Sequence, residues 1–225
     1  MLQHIAILSL LFATTAAGAD AVWPWDIKSV EIREVYAGPT SEVLVENDCS
    51  KMGRLNLDDG AIGWNEIVAI GEKVWKIVEN NKPVVDVQAP VVNALPRGVE
   101  CWADLDSWKA PRARVLEVLY KNMLGMEVVK FRFRMQYTYG GGRGGRGQYL
   151  ANVAVRPEEL NVLWGYTVNA LVEVGQAVNL GSADSPVAGL ELTLKWTVKT
   201  VMKESQNSVS FFAQGDGVET QTVVF

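Results

Sequence analysis

Strict alternation of apolar and polar residues over long stretches is the feature of this sequence that most limits its fold. Apolar and polar residues alternate without exception from Leu190 to Val198 and from Val129 to Tyr139. A period of two places successive side chains on opposite faces of a β-strand, so each strand has one buried and one solvated face. Such strands are typical of antiparallel sheets, because parallel sheets are usually covered on both faces. We therefore expect an all-β fold, mostly an antiparallel two-sheet sandwich.

Shorter segments with the same period predict further strands, separated by turns that contain glycine or proline. Near the N-terminus we expect two short strands, at 27–35 and 41–46, around a turn at Gly38-Pro39. The remaining predicted strands are 115–120, 128–139, 149–155, 162–174, 190–202 and 208–212, with turns that include Gly125, residues 140–147, Pro157, residues 181–186 and residues 215–217.

One stretch has a different period. From Trp64 to Asn80 the apolar residues recur every three or four positions, with charged residues between them, and Asn81 and Pro83 follow. This spacing predicts one amphipathic α-helix near residues 64–80, which we expect to pack on the sheet by its apolar face.

The first nineteen residues have the pattern of a cleaved signal peptide. An apolar run from Ile5 to Ala13 precedes the small residues Ala17-Gly18-Ala19, an arrangement that signal peptidases accept. We expect residues 20–225 to be a single β-sandwich-like domain of a secreted or periplasmic protein. Residues 1–19 carry no acidic residue, lysine or arginine, so the net charge of −5 belongs to the mature chain. A chain without a basic surplus argues against nucleic acid as a partner.

Histidine and cysteine are scarce. The only histidine is His4, within the predicted signal peptide, so the mature chain has no imidazole for a Ser-His-Asp triad or a His-ligated metal site. We expect no cofactor and no metal. Cys49 and Cys101 are predicted to form a disulfide, because an exported chain meets oxidising conditions. Enzymes that use carboxylates alone are not excluded.

The most conspicuous polar segment is the glycine-rich stretch from Gly140 to Gly147, which contains Arg143 and Arg146. Its residues match the G-x-G-x-x-G pattern of dinucleotide-binding loops. The structural context does not match, because the segment joins two predicted strands and does not begin a helix. We expect a flexible hairpin loop whose two guanidinium groups suit sulfate, phosphate or carboxylate. A plain connection between strands is the alternative. The long amphipathic hairpin around it also resembles the segments that pore-forming proteins insert into membranes.

Two further groups could form a contact surface. Trp23 and Trp25 lie near the predicted mature N-terminus, where aromatic rings can be exposed. Asp104 and Asp106 lie between Trp102 and Trp108, so two acids accompany two rings that could stack on sugars. In a strand the acids would share one face, and in a turn they would only satisfy backbone groups.

These observations favour an exported, non-catalytic binding or effector protein that acts at a membrane or lipid surface. The expected contact residues are Arg143, Arg146, Trp23, Trp25 and Trp102. The alternative is a carbohydrate-binding protein or a glycoside hydrolase that uses Asp104 and Asp106. The expected partner is a lipid surface, a glycan or another protein.

Overall fold

Two antiparallel sheets account for most of the described structure. The computed structural model describes residues 23–42, 62–84 and 90–224, and every structural statement below refers to these. The strands are β1 (Ile27–Pro39), β2 (Gly63–Gly71), β3 (Val74–Glu79), β4 (Lys82–Pro83), β5 (Val92–Arg97), β6 (Arg112–Asn122), β7 (Glu127–Arg143), β8 (Arg146–Val162), β9 (Thr167–Val174), β10 (Val178–Asn179), β11 (Ala188–Lys199), β12 (Glu204–Gln214) and β13 (Glu219–Val224). The predicted antiparallel two-sheet architecture is confirmed.

The strand order places neighbouring hairpins side by side. One sheet has the order β1-β6-β7-β8-β5-β2, and the other has the order β13-β12-β11-β9-β3-β4, with β10 beside β11. Strands β7 and β8 are the longest, with 17 residues each. Since β7 runs from the β6–β7 turn to the β7–β8 turn, these two turns lie at opposite ends of the first sheet.

The core lies between the two sheets, where the alternating apolar side chains meet. Phe133 of β7 packs against Trp196 of β11 and Phe211 of β12, with ring centroids 6.3 Å and 6.1 Å apart. The hydroxyl oxygen of Tyr120 accepts hydrogen bonds from Trp196 Nε1 at 2.9 Å and from Asn207 Nδ2 at 2.6 Å. This buried contact joins β6 to the opposite sheet and satisfies polar atoms that burial would otherwise leave unpaired.

The predicted helix at residues 64–80 is wrong. The stretch forms β2 and β3, which belong to different sheets. Its helix-like spacing arises because irregularities interrupt a period of two. A register shift lies between Gly63 and Ile67, another lies at Lys76–Val78, and the chain turns after Gly71, whose φ is +132°. Each shift moves the buried phase by one residue, so apolar residues recur at intervals of three as well as two.

Two predicted turns are strand residues instead. Gly38 and Pro39 pair with Ala113 and Arg112 at the end of β1, which is an edge strand and therefore tolerates a residue without an N–H group. Pro157 lies inside β8, paired with Phe133 beside a register shift. Bulges and edges are the places where a sheet accommodates proline.

The glycine-rich hairpin is shorter than predicted. Most of its residues are strand, and only Gly144 and Gly145 form the turn between Arg143 and Arg146. Both glycines have positive φ, of 58° and 76°, as a two-residue hairpin turn requires. The other glycines leave room for neighbours, since a methyl group at Gly141 would overlap the Trp108 indole. The predicted turn over residues 140–147 is therefore wrong in extent, because the turn consists of Gly144 and Gly145 alone.

Several predictions fall on residues that the structure does not describe. The signal peptide at 1–19 and most of the strand expected at 41–46 are among them. Cys101 is buried, but its predicted disulfide partner Cys49 lies outside the described residues, so the bridge stays a prediction. Within the described ranges, no helix has the length and hydropathy that crossing a membrane would require.

Candidate functional site

Four segments distant in sequence meet at the end of the sandwich where β1 begins. They are residues 23–26 and the β6–β7, β8–β9 and β11–β12 turns at 122–126, 163–166 and 200–203. Three contacts join them. Met123 N–H donates to Asp26 O at 3.0 Å, Tyr166 Oη donates to Trp25 O at 2.6 Å, and Lys203 Nζ lies 3.4 Å from Asp26 Oδ2.

Asp26 is the centre of this arrangement. Only 3% of the residue is exposed, and its N–H donates to Trp23 O at 2.9 Å. Its carboxylate Oδ2 in turn accepts a hydrogen bond from Trp23 N–H at 3.3 Å. Proline suits the second position of such a turn, and Pro24 occupies it. The segment Trp23-Pro24-Trp25 is therefore held in a defined turn that is anchored to three other segments.

The other turns are also fixed by local hydrogen bonds. Asn122 is fully buried, and its Oδ1 accepts from Leu124 N–H at 3.1 Å and Met126 N–H at 3.0 Å. Thr200 Oγ1 accepts from Lys203 N–H at 2.8 Å. In the β8–β9 turn, Gly165 has a φ of +89°, which favours glycine. These bonds satisfy backbone groups of the turns and fix the backbone conformation of each turn.

The side chains that these turns present are large, apolar and exposed. We call those that are more than half exposed the apolar tip, and its members with their exposed fractions are Trp23 (52%), Trp25 (58%), Leu124 (60%), Trp164 (97%), Val201 (90%) and Met202 (65%). Met123, Met126 and Leu163 on the same turns are 39%, 40% and 48% exposed. Single exposed apolar residues are ordinary on protein surfaces, whereas a group of this size at one end of a molecule is typical of a contact site.

A groove of about 340 Å³ runs between the N-terminal turn and two of the other turns. Aromatic and aliphatic side chains form most of its wall, and the buried acidic residue Asp26 also lines it. Burial raises the pKa of Tyr166, although a hydrogen bond with Asn122 opposes this, so the Tyr166 hydroxyl stays neutral. The residues lining the groove are Trp23, Trp25, Asp26, Trp164, Gly165, Tyr166, Thr200, Val201 and Met202.

The charges around the apolar tip nearly balance. Residues 23–28, 121–127, 162–167 and 199–204 contain four lysines and three carboxylates, although the whole chain has a net charge of −5. One lysine, Lys203, pairs with Asp26, and another, Lys199, pairs with Glu204 at 2.8 Å. This end of the molecule is therefore apolar and close to neutral, and it lacks the acidic surplus of the rest of the chain.

The structure separates the predicted site residues into two groups. Trp23 and Trp25 belong to the apolar tip, whereas Arg143 and Arg146 flank the β7–β8 turn at the opposite end of β7. The Arg146 guanidinium lies over the Trp64 ring, 5.9 Å from its centroid. Nearby, burial raises the pKa of Tyr149 to about 12, and its hydroxyl donates to Trp64 O at 2.6 Å. The two arginines and the two N-terminal tryptophans cannot contact one small ligand together.

Trp102 and the two acids lie in the loop before β6. Asp104 ends a short 3₁₀ turn, and the backbone of Asp106 pairs with Gly142. Trp102 packs edge to face on Trp108 with centroids 6.0 Å apart, and Trp108 Nε1 donates to Trp102 O at 3.2 Å. Both rings are partly buried. The rings thus pack on each other within the loop, and the acids lie in a turn and a backbone bridge.

Sequence reasoning identified two of the six residues of the apolar tip and missed Leu124, Trp164, Val201 and Met202. The predicted strands at 162–174 and 190–202 assigned three of these residues to sheet. The sequence contains one signal for them, because Leu163-Trp164-Gly165 and Leu124-Gly125 place apolar residues beside a turn-forming glycine. Turn residues are usually polar, so apolar residues at these positions indicate exposed apolar side chains.

Comparison of the chain with protein-family models, with curated proteins and with solved structures gave no match. In the described ranges, no group of three or more His, Cys, Asp or Glu side chains is placed to hold a metal ion.

Proposed function

We propose that this chain is an exported, non-catalytic protein, secreted or periplasmic, that binds a membrane surface by inserting its apolar tip. The observation that carries the proposal is the exposure of six large apolar side chains on four turns at one end of the sandwich. Tryptophan in particular favours the region between lipid headgroups and acyl chains, because its ring is apolar and its N–H is polar.

The geometry of the turns supports shallow insertion. Backbone groups that enter an apolar layer must be hydrogen-bonded within the protein. In the tip, Asn122 and Thr200 bond the turn backbones through their side chains, and Asp26 bonds the N-terminal turn. Side chains such as Val201 and Trp164 can therefore enter the interface while the strands behind them stay in water.

Apolar contact supplies most of the expected affinity. Moving one large apolar side chain out of water contributes about 2 kcal/mol, which corresponds to a change of roughly thirtyfold in affinity. The near balance of lysines and carboxylates around the tip predicts only a weak dependence on salt, because long-range attraction to anionic lipid needs a basic surplus.

The test is co-sedimentation of the protein with phospholipid vesicles, for the natural sequence and for Val201→Ser. Val201 is 90% exposed, so its replacement should leave thermal unfolding unchanged. We expect vesicle affinity to fall by roughly tenfold, because a valine side chain no longer leaves water on binding.

Val74→Ser is the matched control. Val74 is 56% exposed and begins β3, outside the four turns of the apolar tip. Its replacement should leave vesicle affinity unchanged. Absence of vesicle binding by the natural sequence, or equal losses in the two variants, would refute the proposal.

A further inference from the structure

We infer that the groove in the apolar tip binds the trimethylammonium group of a choline headgroup, so that the preferred membrane is rich in phosphatidylcholine. This inference rests on the proposed membrane contact and adds its lipid class. The groove is lined by electron-rich rings and by one buried acidic residue, Asp26, whose carboxylate pairs with the exposed lysine Lys203.

The aromatic wall favours a cation. Trp23, Trp25, Trp164 and Tyr166 line the groove, and the face of an indole or phenol ring carries partial negative charge. Among the described residues, no ring–ring or cation–ring contact involves Trp23, Trp25 or Trp164, and each of the three is more than half exposed. The groove rings therefore have faces that are open to a ligand.

Asp26 adds a carboxylate to this part of the groove, and its negative charge is balanced by the ammonium of Lys203, 3.4 Å away. Asp26 is 3% exposed, and its oxygen already accepts a hydrogen bond from Trp23 N–H and pairs with Lys203. Both contacts use Oδ2, so the carboxylate has too few remaining acceptor positions for the three N–H donors of a primary ammonium. Among the other side chains of the described wall, the acceptors are the hydroxyl groups of Thr200 and Tyr166, and the rest are aromatic or aliphatic.

This shortage of acceptors selects a quaternary ammonium. A primary ammonium, as in phosphatidylethanolamine, has three N–H donors that would be left without partners in the groove, and unpaired buried donors are costly. A trimethylammonium group has no N–H donor and is only weakly hydrated. Its methyl groups can contact the aromatic rings while its charge interacts with the ring faces.

The position of Lys203 suits the rest of the headgroup. Its side chain is 57% exposed, and Nζ lies 3.4 Å from Asp26 Oδ2. In a choline phospholipid the phosphate follows the ammonium within a few bonds, so an exposed cation next to a groove residue is suited to pair with it. A volume of about 340 Å³ is larger than a trimethylammonium group and leaves room for the adjoining atoms.

The experiment compares vesicles that share their acyl chains and differ only in headgroup. One set mixes phosphatidylglycerol with phosphatidylcholine, and the other mixes it with phosphatidylethanolamine. We expect the natural sequence to bind the choline vesicles at least tenfold more tightly. Trp25→Leu keeps an apolar side chain but removes the ring face, and it should abolish this preference while retaining binding to both sets. Leu124→Ser should weaken both and retain the preference, because Leu124 belongs to the apolar tip but does not line the groove.

Each outcome has a distinct meaning. Equal affinity for the two vesicle sets, or a preference that survives Trp25→Leu, overturns the choline inference while the proposed membrane contact stands. Absence of binding to every vesicle overturns both.

Competition by free phosphocholine, measured by tryptophan fluorescence, should be seen with the natural sequence and lost in Trp25→Leu. Tighter binding to a trimethyl-lysine peptide than to choline vesicles would overturn the assignment of a lipid as the ligand. Because Trp25 is 58% exposed, thermal unfolding of Trp25→Leu serves as the folding control.

Discussion

Glu117 is a carboxylate with no exposed side-chain surface, held between strands by opposite charges. Its Oε1 accepts a hydrogen bond from Arg33 Nε of β1 at 2.7 Å, and its Oε2 accepts one from Arg132 of β7 at 2.6 Å. Lys130 Nζ lies 3.6 Å away. Burial raises the pKa of Glu117, but the hydrogen bonds from Arg132 and Arg33 outweigh this effect and lower the pKa overall. The side chain therefore stays charged and joins three adjacent strands.

Replacing Glu117 with Gln should destabilise the fold by about 3 kcal/mol, because it leaves charged groups without their buried partner. The measurement is urea-induced unfolding at about pH 7. Glu79→Gln is the control, since the Glu79 pair with Lys76 is about half exposed and should contribute less than about 1 kcal/mol. Equal losses in the two variants would contradict this account.

The same ion pair predicts how stability depends on pH. The pKa of Glu117 is lower in the folded state than its ordinary value of 4.5, so its stabilisation is fully present above that value. It is lost as pH falls through the folded-state pKa. The difference in unfolding free energy between the natural sequence and Glu117→Gln should therefore shrink on acidification. A difference that stays constant into strong acid would contradict the lowered pKa.

At the scale of elements, the β7–β8 hairpin depends on its glycines for packing. A Cβ at Gly141 would collide with the Trp108 ring, which is itself held by hydrogen bonds to Trp102 O and Leu105 O. Gly141→Ala should therefore destabilise the protein by about 2 kcal/mol, the usual cost of overpacking a filled site. Thermal or urea unfolding measures the loss.

Gly144 provides the contrast within the same hairpin. It has a φ of +58° and open space around its Cβ position. Asparagine tolerates this backbone conformation, and Asn-Gly is a preferred hairpin turn, so Gly144→Asn should be close to neutral. If Gly141→Ala were also neutral, Trp108 would have to move freely, contrary to its two hydrogen bonds.

The elements that sequence predicts well are those with uninterrupted alternation. In β11 every apolar residue from Leu190 to Val198 is buried, as its pattern requires. The helix predicted at 64–80 is wrong because bulges and a turn at Gly71 shift the phase of the alternation. The local sequence does not show where such shifts occur. The sequence also predicts a turn over the whole of 140–147. Gly141 is instead a strand residue that leaves room for the Trp108 ring, and this tertiary contact cannot be inferred from the local sequence.

The candidate site was predictable only in part for the same reason. Trp23 and Trp25 were expected to be exposed because they lie near a chain end. The sequence predicts Trp164 within a strand at 162–174. It is exposed because the chain turns at this residue, between β8 and β9. Nothing local indicates that this turn lies beside Trp25, because Tyr166 Oη and Trp25 O meet only when both sheets have formed.

At the scale of the whole molecule, the two groups of predicted contact residues face opposite directions. Strand β7 has 17 residues, so its ends are separated by about 50 Å at the rise of a β-strand. A membrane that receives the apolar tip therefore leaves the turn with Arg143 and Arg146 in solution. The double variant Arg143→Ala/Arg146→Ala should bind vesicles as tightly as the natural sequence, and co-sedimentation measures this. A loss of affinity in this variant would contradict the proposed orientation.

The contact between Lys203 and Asp26 brings together residues from the beginning and near the end of the described chain. The β6–β7 and β8–β9 turns complete the same surface from the middle of the sequence. No single peptide excised from the chain therefore contains this surface. A chain in which the two sheets do not pack together would lose it as well. Recognition of a bilayer by this end would thereby report that folding has been completed.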